Sequence, residues 1–317
     1  MTIKFLHQNY NPHYLLFCIQ ILSMNQKQVS FSWSGNRADI NGLPILRMLP
    51  NRYVQAVGSF VFLDHFGPAN HPPVENKGTG VHPHRGIATL SYLFKGEANH
   101  EDSAGNNQTI QSGGLQWMKA GKGILHNETI HGEVEDPSHE VHGVQFWINL
   151  PPAIKEESPE YKALDHSEIP KIQLPEQSGI IKVLVGKYAE TQSPVPTYNE
   201  EFLYHLRLSK LSTFVLDTKT GDEYAVFLPS AGLVINETHF EKGEFIEFDR
   251  NGGLLTMHNP LTSDVDVLIF GGAPYTDPIV AEGPFVMNSK LDIAMAYRDF
   301  LGGKYGTLGN IGKQTNK

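Results

Sequence analysis

Cysteine is almost absent from this chain, and its scarcity sets the first limit on the protein. The 317 residues contain a single cysteine, Cys18, so an intramolecular disulfide is excluded. A chain without disulfides favours a reducing compartment. We therefore expect a cytoplasmic protein whose stability depends on a packed core.

Basic charge and long hydrophobic runs are also scarce. The 25 Lys and Arg residues stand against 34 Asp and Glu residues, and the formal net charge is −9. This balance, with no Lys- and Arg-rich segment, argues against direct binding to nucleic-acid phosphates. The apolar run Tyr14–Leu22 is too short to cross a membrane. We expect neither a nucleic-acid nor a membrane partner.

The first 24 residues differ in character from the rest of the chain. No small-residue cleavage site comes after the apolar run, as a signal peptide would require. The segment that starts at Met24, MNQKQVSFSWSG, is typical of the beginning of a domain. We interpret residues 1–24 as an extension that is disordered or absent from the native protein.

Short strand-like segments separated by turn residues fill most of the remaining chain. The 30 Gly and 20 Pro residues support frequent turns, and regular short strands indicate an all-β sandwich or barrel. Two series of similar size predict a duplicated barrel. The first comprises residues 52–66, 87–94, 115–118, 124–130 and 141–150; the second comprises 180–185, 203–208, 212–216, 223–228, 232–235, 245–248, 254–258 and 265–270.

These series divide the chain into an N-terminal barrel over residues 25–150 and a C-terminal barrel over residues 179–275. Residues 151–178, rich in Pro, Glu and Lys, form a predicted linker with a short helix around Glu157–Leu164. A C-terminal helix and tail occupy residues 276–317.

The C-terminal helix has start and stop signals of its own. Ser289 is a candidate N-cap, and the Gly pair at 302–303 ends the helix. The spacing of Leu291, Ala294, Tyr297 and Leu301 predicts one apolar face packed on a barrel.

Two histidine-containing pairs are the candidate metal-binding residues of the sequence. His82 and His84 flank Pro83, which favours an extended backbone. Residues i and i+2 of a strand share one face, so both imidazoles point the same way, and the same holds for His126 and Glu128. If the two segments lie side by side, four side chains converge. Three imidazoles and one carboxylate suit Fe(II), and also Mn, Ni, Cu or Zn.

Each pair alone has a plainer interpretation. The chain contains 15 histidines, so one His-x-His pair can arise by chance at a surface turn. Both pairs, however, lie among glycines and beside strand segments, which favours the metal site over the surface turn.

The motifs around these pairs resemble the pirin family. The segments HPHRGIATLSYLFKGEANHEDSAGN and GGLQWMKAGKGILHNE carry most of the similarity, with DHFGP, HGVQFWINLP and GPFVMN, over roughly residues 25–305. The resemblance implies two cupin barrels face to face, a double-stranded β-helix or jelly-roll fold, with metal in the first. It implies the same four ligands. Family members bind mainly iron; some bacterial members resemble quercetin 2,3-dioxygenases, and the animal protein is a nuclear, iron-dependent transcription co-regulator.

One position departs from the family pattern. Many pirins carry Glu shortly after the His-x-His pair, where this chain has Ala88. We expect metal binding to survive and a carboxylate next to the metal to be lost. The second half has His205, His239 and His258 without the paired spacing, which predicts a metal-free C-terminal cupin.

Several neighbouring residues receive weaker predictions. Arg85 either steadies an anionic group near the metal or forms a surface salt bridge. His142 and Gln145 lie on opposite faces of one strand, so at most one lines the pocket.

The sequence also predicts how exposed the hairpin-turn residues and two of the tryptophans are. Three residues beside the turn, His100, Glu101 and Asp102, are predicted to be solvated. Trp117 and Trp147 are predicted to be core residues.

Two functions fit these features. The first is an Fe-dependent dioxygenase that opens quercetin-like flavonols, with Glu128 as ligand and general base for a substrate hydroxyl. The second is a non-catalytic, iron-dependent regulatory protein that binds a transcription or metabolic partner. A monomer fits both.

Overall fold

The computed structural model describes residues 26–40, 42–73 and 78–308, and antiparallel strands make up most of it. The first thirteen strands are β1 (Val29–Trp33), β2 (Asn36–Ile40), β3 (Leu43–Leu49), β4 (Phe60–Asn70), β5 (His82–His84), β6 (Ile87–Lys95), β7 (Glu97–Asp102), β8 (Asn107–Ile110), β9 (Leu115–Lys119), β10 (Ile124–His131), β11 (Glu140–Asn149), β12 (Glu160–Leu164) and β13 (Lys171–Gln173).

The remaining elements belong to the second half of the chain. They are β14 (Gly179–Val185), β15 (Lys187–Tyr188), β16 (Thr191–Gln192), β17 (Phe202–Leu208), β18 (Thr213–Thr218), β19 (Glu223–Phe227), β20 (Leu233–Ile235), β21 (Thr238–Phe240), β22 (Phe245–Phe248), β23 (Gly253–His258), β24 (Val265–Gly272), β25 (Val280–Glu282), β26 (Phe285–Met287) and helix α1 (Lys290–Leu301). Two 3₁₀ turns span Ile154–Glu156 and Pro175–Gln177.

Four sheets build two jelly-roll barrels. In the N-terminal barrel, a seven-stranded sheet ordered β12-β9-β6-β11-β4-β3-β2 faces the four-stranded sheet β5-β10-β7-β8. In the C-terminal barrel, the sheet β1-β22-β19-β24-β17-β14-β13 faces β18-β23-β20-β21. The prediction of an all-β, two-barrel fold is confirmed. No helix of the described residues is long and apolar enough to cross a membrane, and the predicted extension over residues 1–24 lies outside the described residues.

The two large sheets pack against each other through one shared apolar core. Phe60 and Phe146 of the N-terminal barrel meet Phe270 of the C-terminal barrel, with ring centroids 5.1–5.4 Å apart. Trp117 is buried in the same cluster, as predicted. Because burial of aromatic surface is the main stabilising contribution here, the barrels are expected to behave as one unit.

Two segments cross between the barrels before the C-terminal segment: strand β1 and the connection over residues 151–178. Strand β1 pairs with β22 of the C-terminal sheet, although the next strands of the chain belong to the N-terminal sheet. The connection contributes β12 to the first barrel and β13 to the second. The prediction of a helix at Glu157–Leu164 is wrong, because residues 160–164 pair with β9 as an edge strand.

The C-terminal segment returns to the N-terminal barrel. Arg85 forms a parallel bridge with Phe285 of β26, and helix α1 packs against the β25–β26 hairpin. The predicted cap is confirmed, since the Ser289 hydroxyl accepts a hydrogen bond from the Asp292 amide at 3.1 Å. The prediction of which residues form the apolar face of the helix is wrong in part, because Leu291 and Leu301 are exposed while Ile293 is buried.

Candidate metal centre

Strands β5 and β10 bring the two predicted pairs together. They are antiparallel neighbours, and His126 lies opposite His82 in the register. The alternation of β10 buries every second side chain, which sends His126 and Glu128 to the same interior face. Ligand atoms of His82, His84 and His126 all lie within 4.8 Å of one another.

Backbone carbonyls determine which nitrogens of the first pair are free. His82 Nδ1 lies 2.7 Å from the Gly80 carbonyl, and His84 Nδ1 lies 3.0 Å from the Pro284 carbonyl. A carbonyl can only accept, so each Nδ1 carries the hydrogen and each Nε2 keeps its lone pair. His82 Nε2 lies 3.0 Å from His126 Nε2. This arrangement is the one that orients imidazoles toward a metal.

Burial favours the neutral form of His84 and His126. Desolvation lowers the pKa of His84 to about 3, with a further contribution from His82. Desolvation also lowers the pKa of His126 well below its usual value, and the neighbouring histidines lower it further. Neutral imidazole is the form that binds metal. His126 Nδ1 is buried without a hydrogen-bond partner in the described part of the chain. The donor set therefore fits a divalent metal.

Glu128 is held by three donors on the inner wall of the barrel. Its Oε1 accepts from Gln116 at 2.5 Å and from the Ser91 hydroxyl at 3.3 Å, while Oε2 accepts from Gln145 at 2.7 Å. The Tyr161 hydroxyl donates to the Gln116 carbonyl oxygen at 3.2 Å, which fixes the direction of that amide. The carboxylate is therefore rigidly placed.

The structure groups Glu128 differently from the prediction. Its ligand atoms cluster within 4.8 Å with those of His100 and His126, rather than with all three predicted histidines. His82, His84 and Glu128 nevertheless line one cavity. The site thus consists of two overlapping groups that share His126.

The prediction that the hairpin-turn residues are solvated is wrong for two of them. His100 and Asp102 face the barrel interior and are at most 4% exposed. The Asp102 carboxylate can only accept, so His100 Nε2 donates to it at 3.0 Å. His100 also stacks on Tyr161, with ring centroids 4.3 Å apart. The alternation along Glu97–Asp102 places Ala98, His100 and Asp102 on one face, because the turn begins only after Asp102.

An open cavity of about 460 Å³ extends from the histidines to the barrel mouth. Trp147 lines this cavity, which corrects its prediction as a core residue. The Trp147 ring stacks on Phe62 with centroids 4.3 Å apart, and it contacts His84 edge to face at 4.9 Å. Arg47 lies over Phe62 and forms a bidentate ion pair with Asp64, at 2.8 and 2.9 Å. One wall is therefore flat and aromatic, and the Arg47–Asp64 ion pair also lines the cavity.

Gln145 and His142 of β11 lie on opposite faces of the sheet, as expected. Gln145 faces the cavity and donates to Glu128. His142 points to the opposite side of the sheet, where its Nε2 lies 2.8 Å from His65 Nε2. The alternation along the strand accounts for both placements.

The expected loss of a carboxylate at Ala88 has no consequence for the cavity. Ala88 packs with Leu90 and Tyr92 in the apolar core between the two barrels. Ser91, on the other face of β6, is the residue that reaches Glu128. A strand alternates its faces, so a side chain at position 88 points away from the metal centre.

Arg85 forms salt bridges, which is the second of the two roles predicted for it, but its side chain is buried and does not lie at the surface. It donates to Asp299 of α1 at 3.0 Å and to Glu156 at 3.1 Å. Its role is therefore to hold the C-terminal helix and the connection against the N-terminal barrel.

The C-terminal barrel has no comparable cluster among the described residues. Apolar side chains fill its interior, including Ile181, Val183, Leu206 and Met257. His205 lies at the junction of the barrels instead, hydrogen-bonded to Tyr92.

Two barrels packed face to face, with a histidine cluster in one, define a bicupin. The Pirin family model matches residues 42–148, and the Pirin C-terminal cupin domain matches residues 187–306. The chain is 31% identical to Pirin-like protein 2 of Arabidopsis thaliana, over 84% of this chain and 81% of that protein. It is 31% identical to a pirin-like protein of Caulobacter vibrioides, over 87% and 94%. The chain belongs to the pirin family.

A solved structure gives the same result for the fold. The crystal structure titled quercetin 2,3-dioxygenase from Acinetobacter baumannii superposes with a TM-score of 0.82 and 31% identity. The similarity covers 90% of this chain and all of that chain. The protein is a pirin-like bicupin that is homologous to quercetin 2,3-dioxygenases.

Proposed function

We propose that the protein is an Fe-dependent dioxygenase that opens quercetin-like flavonols, with metal held by His82, His84, His126 and Glu128. The convergence of three imidazoles on an open, aromatic-walled cavity supports the proposal. Bound Fe(II) would supply a Lewis acid for an enolate oxygen and a position for O₂. Mn, Ni, Cu or Zn suits the same donors.

The cavity wall gives the substrate its orientation. A planar ring system would stack on the Trp147–Phe62 pair, since aromatic rings favour offset stacking. The Arg47–Asp64 ion pair, which also lines the cavity, offers donors and acceptors to substrate hydroxyl groups. The volume of about 460 Å³ is in the range of sites for small organic molecules.

Glu128 is the group we assign to proton transfer. Its carboxylate borders the cavity and would accept the proton of the substrate hydroxyl at Oε1 or Oε2. Gln116, Gln145 and Ser91 hold it in place, so it needs no rearrangement before the transfer. The placement of Ala88 outside the cavity removes the one sequence feature that favoured a non-catalytic regulator. We further propose that the protein acts as a monomer in the cytoplasm.

Metal content of purified variants is the first experiment. His84→Ala should lower bound iron, measured by elemental analysis after loading, by at least about 10-fold, since one of few ligands is removed. His239→Ala, an exposed histidine of the C-terminal barrel, is the matched control and should bind as the wild type does. Equal iron in both variants would refute the ligand assignment.

Turnover is tested separately on the iron-loaded protein. Aerobic incubation with quercetin should bleach the flavonol absorbance and release CO. Glu128→Gln should abolish bleaching, while quercetin still quenches the fluorescence of Trp147. Bound iron without bleaching by the wild type would refute the dioxygenase and leave the regulatory function.

A further inference from the structure

A chain of hydrogen bonds crosses the junction of the two barrels on the side away from the metal centre. Its members are Lys182 of β14, Tyr92 of β6, His205 of β17 and Asp266 of β24. Lys182 Nζ lies 3.1 Å from the Tyr92 hydroxyl, which lies 2.7 Å from His205 Nδ1. His205 Nε2 lies 2.9 Å from Asp266 Oδ1.

Lys182 and Asp266 stand at the two ends of this network, and they determine which atom donates in each hydrogen bond. Burial raises the pKa of Asp266, but the hydrogen bond from His205 and the nearby basic groups together bring that pKa below its usual value. Asp266 therefore accepts, and His205 Nε2 donates. His205 Nδ1 then accepts from the Tyr92 hydroxyl, whose oxygen accepts from Lys182. The network satisfies the Tyr92 hydroxyl and both nitrogens of His205, so neither residue is free to act as a base or nucleophile.

Lys182 has capacity left over. Its ammonium group has three N–H donors, of which the Tyr92 hydroxyl takes one. No carboxylate of the described residues lies within ion-pair distance of its nitrogen. A half-buried ammonium without an anion is costly, so this group favours an additional acceptor.

A pocket of about 140 Å³ opens beside this ammonium. Lys182, Arg207, Asp266 and Gly113 line it. A Cβ atom on Gly113 would lie 3.4 Å from Lys182 Nζ, at ordinary contact distance, so Gly113 borders the space beside the ammonium.

Arg207 is the cation of this pocket that carboxylates balance. Its Nη1 lies 3.8 Å from Asp266 and its Nε lies 3.4 Å from Asp264, which leaves Lys182 as the cation without a carboxylate partner among the described residues. Burial lowers the pKa of Lys182, Asp266 raises it, and Lys171 and Arg207 lower it again. The remaining positive field is complementary to an anion small enough for the pocket.

We propose that this junction pocket binds a small oxyanion, either a phosphate or a carboxylate, between the two barrels. The Lys182 ammonium and the Arg207 guanidinium donate to its oxygens. The pocket lies at the junction, since Tyr92 comes from the N-terminal barrel while Lys182 and Arg207 come from the C-terminal barrel. This site is independent of the metal centre and of the proposed dioxygenase activity.

Ligand-induced thermal stabilisation of the full chain tests the site. A ligand that binds only the folded state raises the unfolding midpoint with its concentration. Inorganic phosphate and acetate are compared with chloride at equal ionic strength, so that either oxyanion can be identified. We expect a saturable shift with at least one of them. No shift beyond that of chloride would overturn the proposal.

Matched variants locate the effect. Lys182→Met should weaken oxyanion binding by about 10-fold or more, since charged hydrogen bonds are lost. Lys187→Met, in the same barrel with a half-exposed side chain, should bind as the wild type does. An equal shift in Lys182→Met and the wild type would also overturn the proposal.

Two further variants keep the test decisive if Lys182→Met fails to fold. Asp266→Asn removes the opposing charge while its amide oxygen still accepts from His205, so binding should become tighter. Arg207→Met removes the second donor, so binding should become weaker. Weaker binding in Asp266→Asn, or unchanged binding in Arg207→Met, would contradict an oxyanion at this place.

Discussion

At the residue scale, Gln145 decides whether Glu128 stays in position. Its amide is the donor that the structure gives to Oε2 of that carboxylate. We predict that Gln145→Leu lowers kcat for quercetin by about 10-fold or more, because a supporting hydrogen bond of a ligand or base is lost. Iron content should change little, since backbone carbonyls hold His82 and His84.

The matched control for this prediction is Gln111→Leu, an exposed glutamine on the same barrel. Oxygen consumption by iron-loaded protein and elemental analysis measure the two quantities. Unchanged kcat in Gln145→Leu would show that Glu128 needs no such support.

The histidine pairs were predictable at this scale because a two-residue repeat needs only local geometry. His82 and His126 could be aligned once both segments were read as strands. His100 was missed because the turn residues after it outweighed its own alternation. Trp147 was misplaced because size alone does not distinguish a core from a cavity wall.

At the scale of elements, helix α1 offers two apolar residues with opposite environments. Ile293 is 3% exposed and packs with Phe285 and Ala296, whereas Leu291 is 69% exposed. We predict that Ile293→Ala lowers the free energy of unfolding by about 2–4 kcal/mol, as buried large-to-small changes do. Leu291→Ala should change it by less than about 0.5 kcal/mol. Chemical denaturation measures both, and similar losses in the two variants would contradict the observed packing face.

Most strands could be predicted because glycine and proline punctuate the chain at short intervals. The segment after the first barrel could not, since its glutamates and lysine have good helix propensity. Lys119 of β9 is buried and pairs with Glu157 and Glu160, which draws this segment alongside the sheet. Tertiary pairing thus overrides a local preference.

At the scale of the whole molecule, the junction of the barrels was visible in the sequence only as a duplication. Strand β1 pairs with residues more than 200 positions away in the C-terminal barrel. Pairing over that distance leaves no local pattern, because either sheet could accept an edge strand of this composition. The buried contact between His65 and His142 also leaves no local pattern in the sequence, because the two residues are far apart in the chain and meet only through the pairing of β4 with β11.

This histidine pair makes the molecule sensitive to acid. Burial, with smaller contributions from the charges of His142 and Lys242, lowers the pKa of His65 to about 3. Burial, followed by the charge of Lys242, lowers the pKa of His142 to about 4. The unfolded chain binds these protons near pH 6.5, while the folded protein does not. Stability contributed by the neutral pair is therefore present above about pH 6.5 and decreases as the pH falls toward about 4.

We predict that His142→Gln reduces this acid sensitivity. Glutamine can still hydrogen-bond to His65 but does not titrate, so the loss of unfolding free energy between about pH 7 and about pH 5 should shrink by on the order of 1 kcal/mol. Glu247 has a pKa raised by burial to about 7 and acts in the opposite direction, so the variant must be compared with the wild type at each pH. His239→Gln, an exposed position, is the control. If wild type and His142→Gln lose equal stability, protonation of this pair does not limit the fold, and the junction must tolerate a charged imidazole between its barrels.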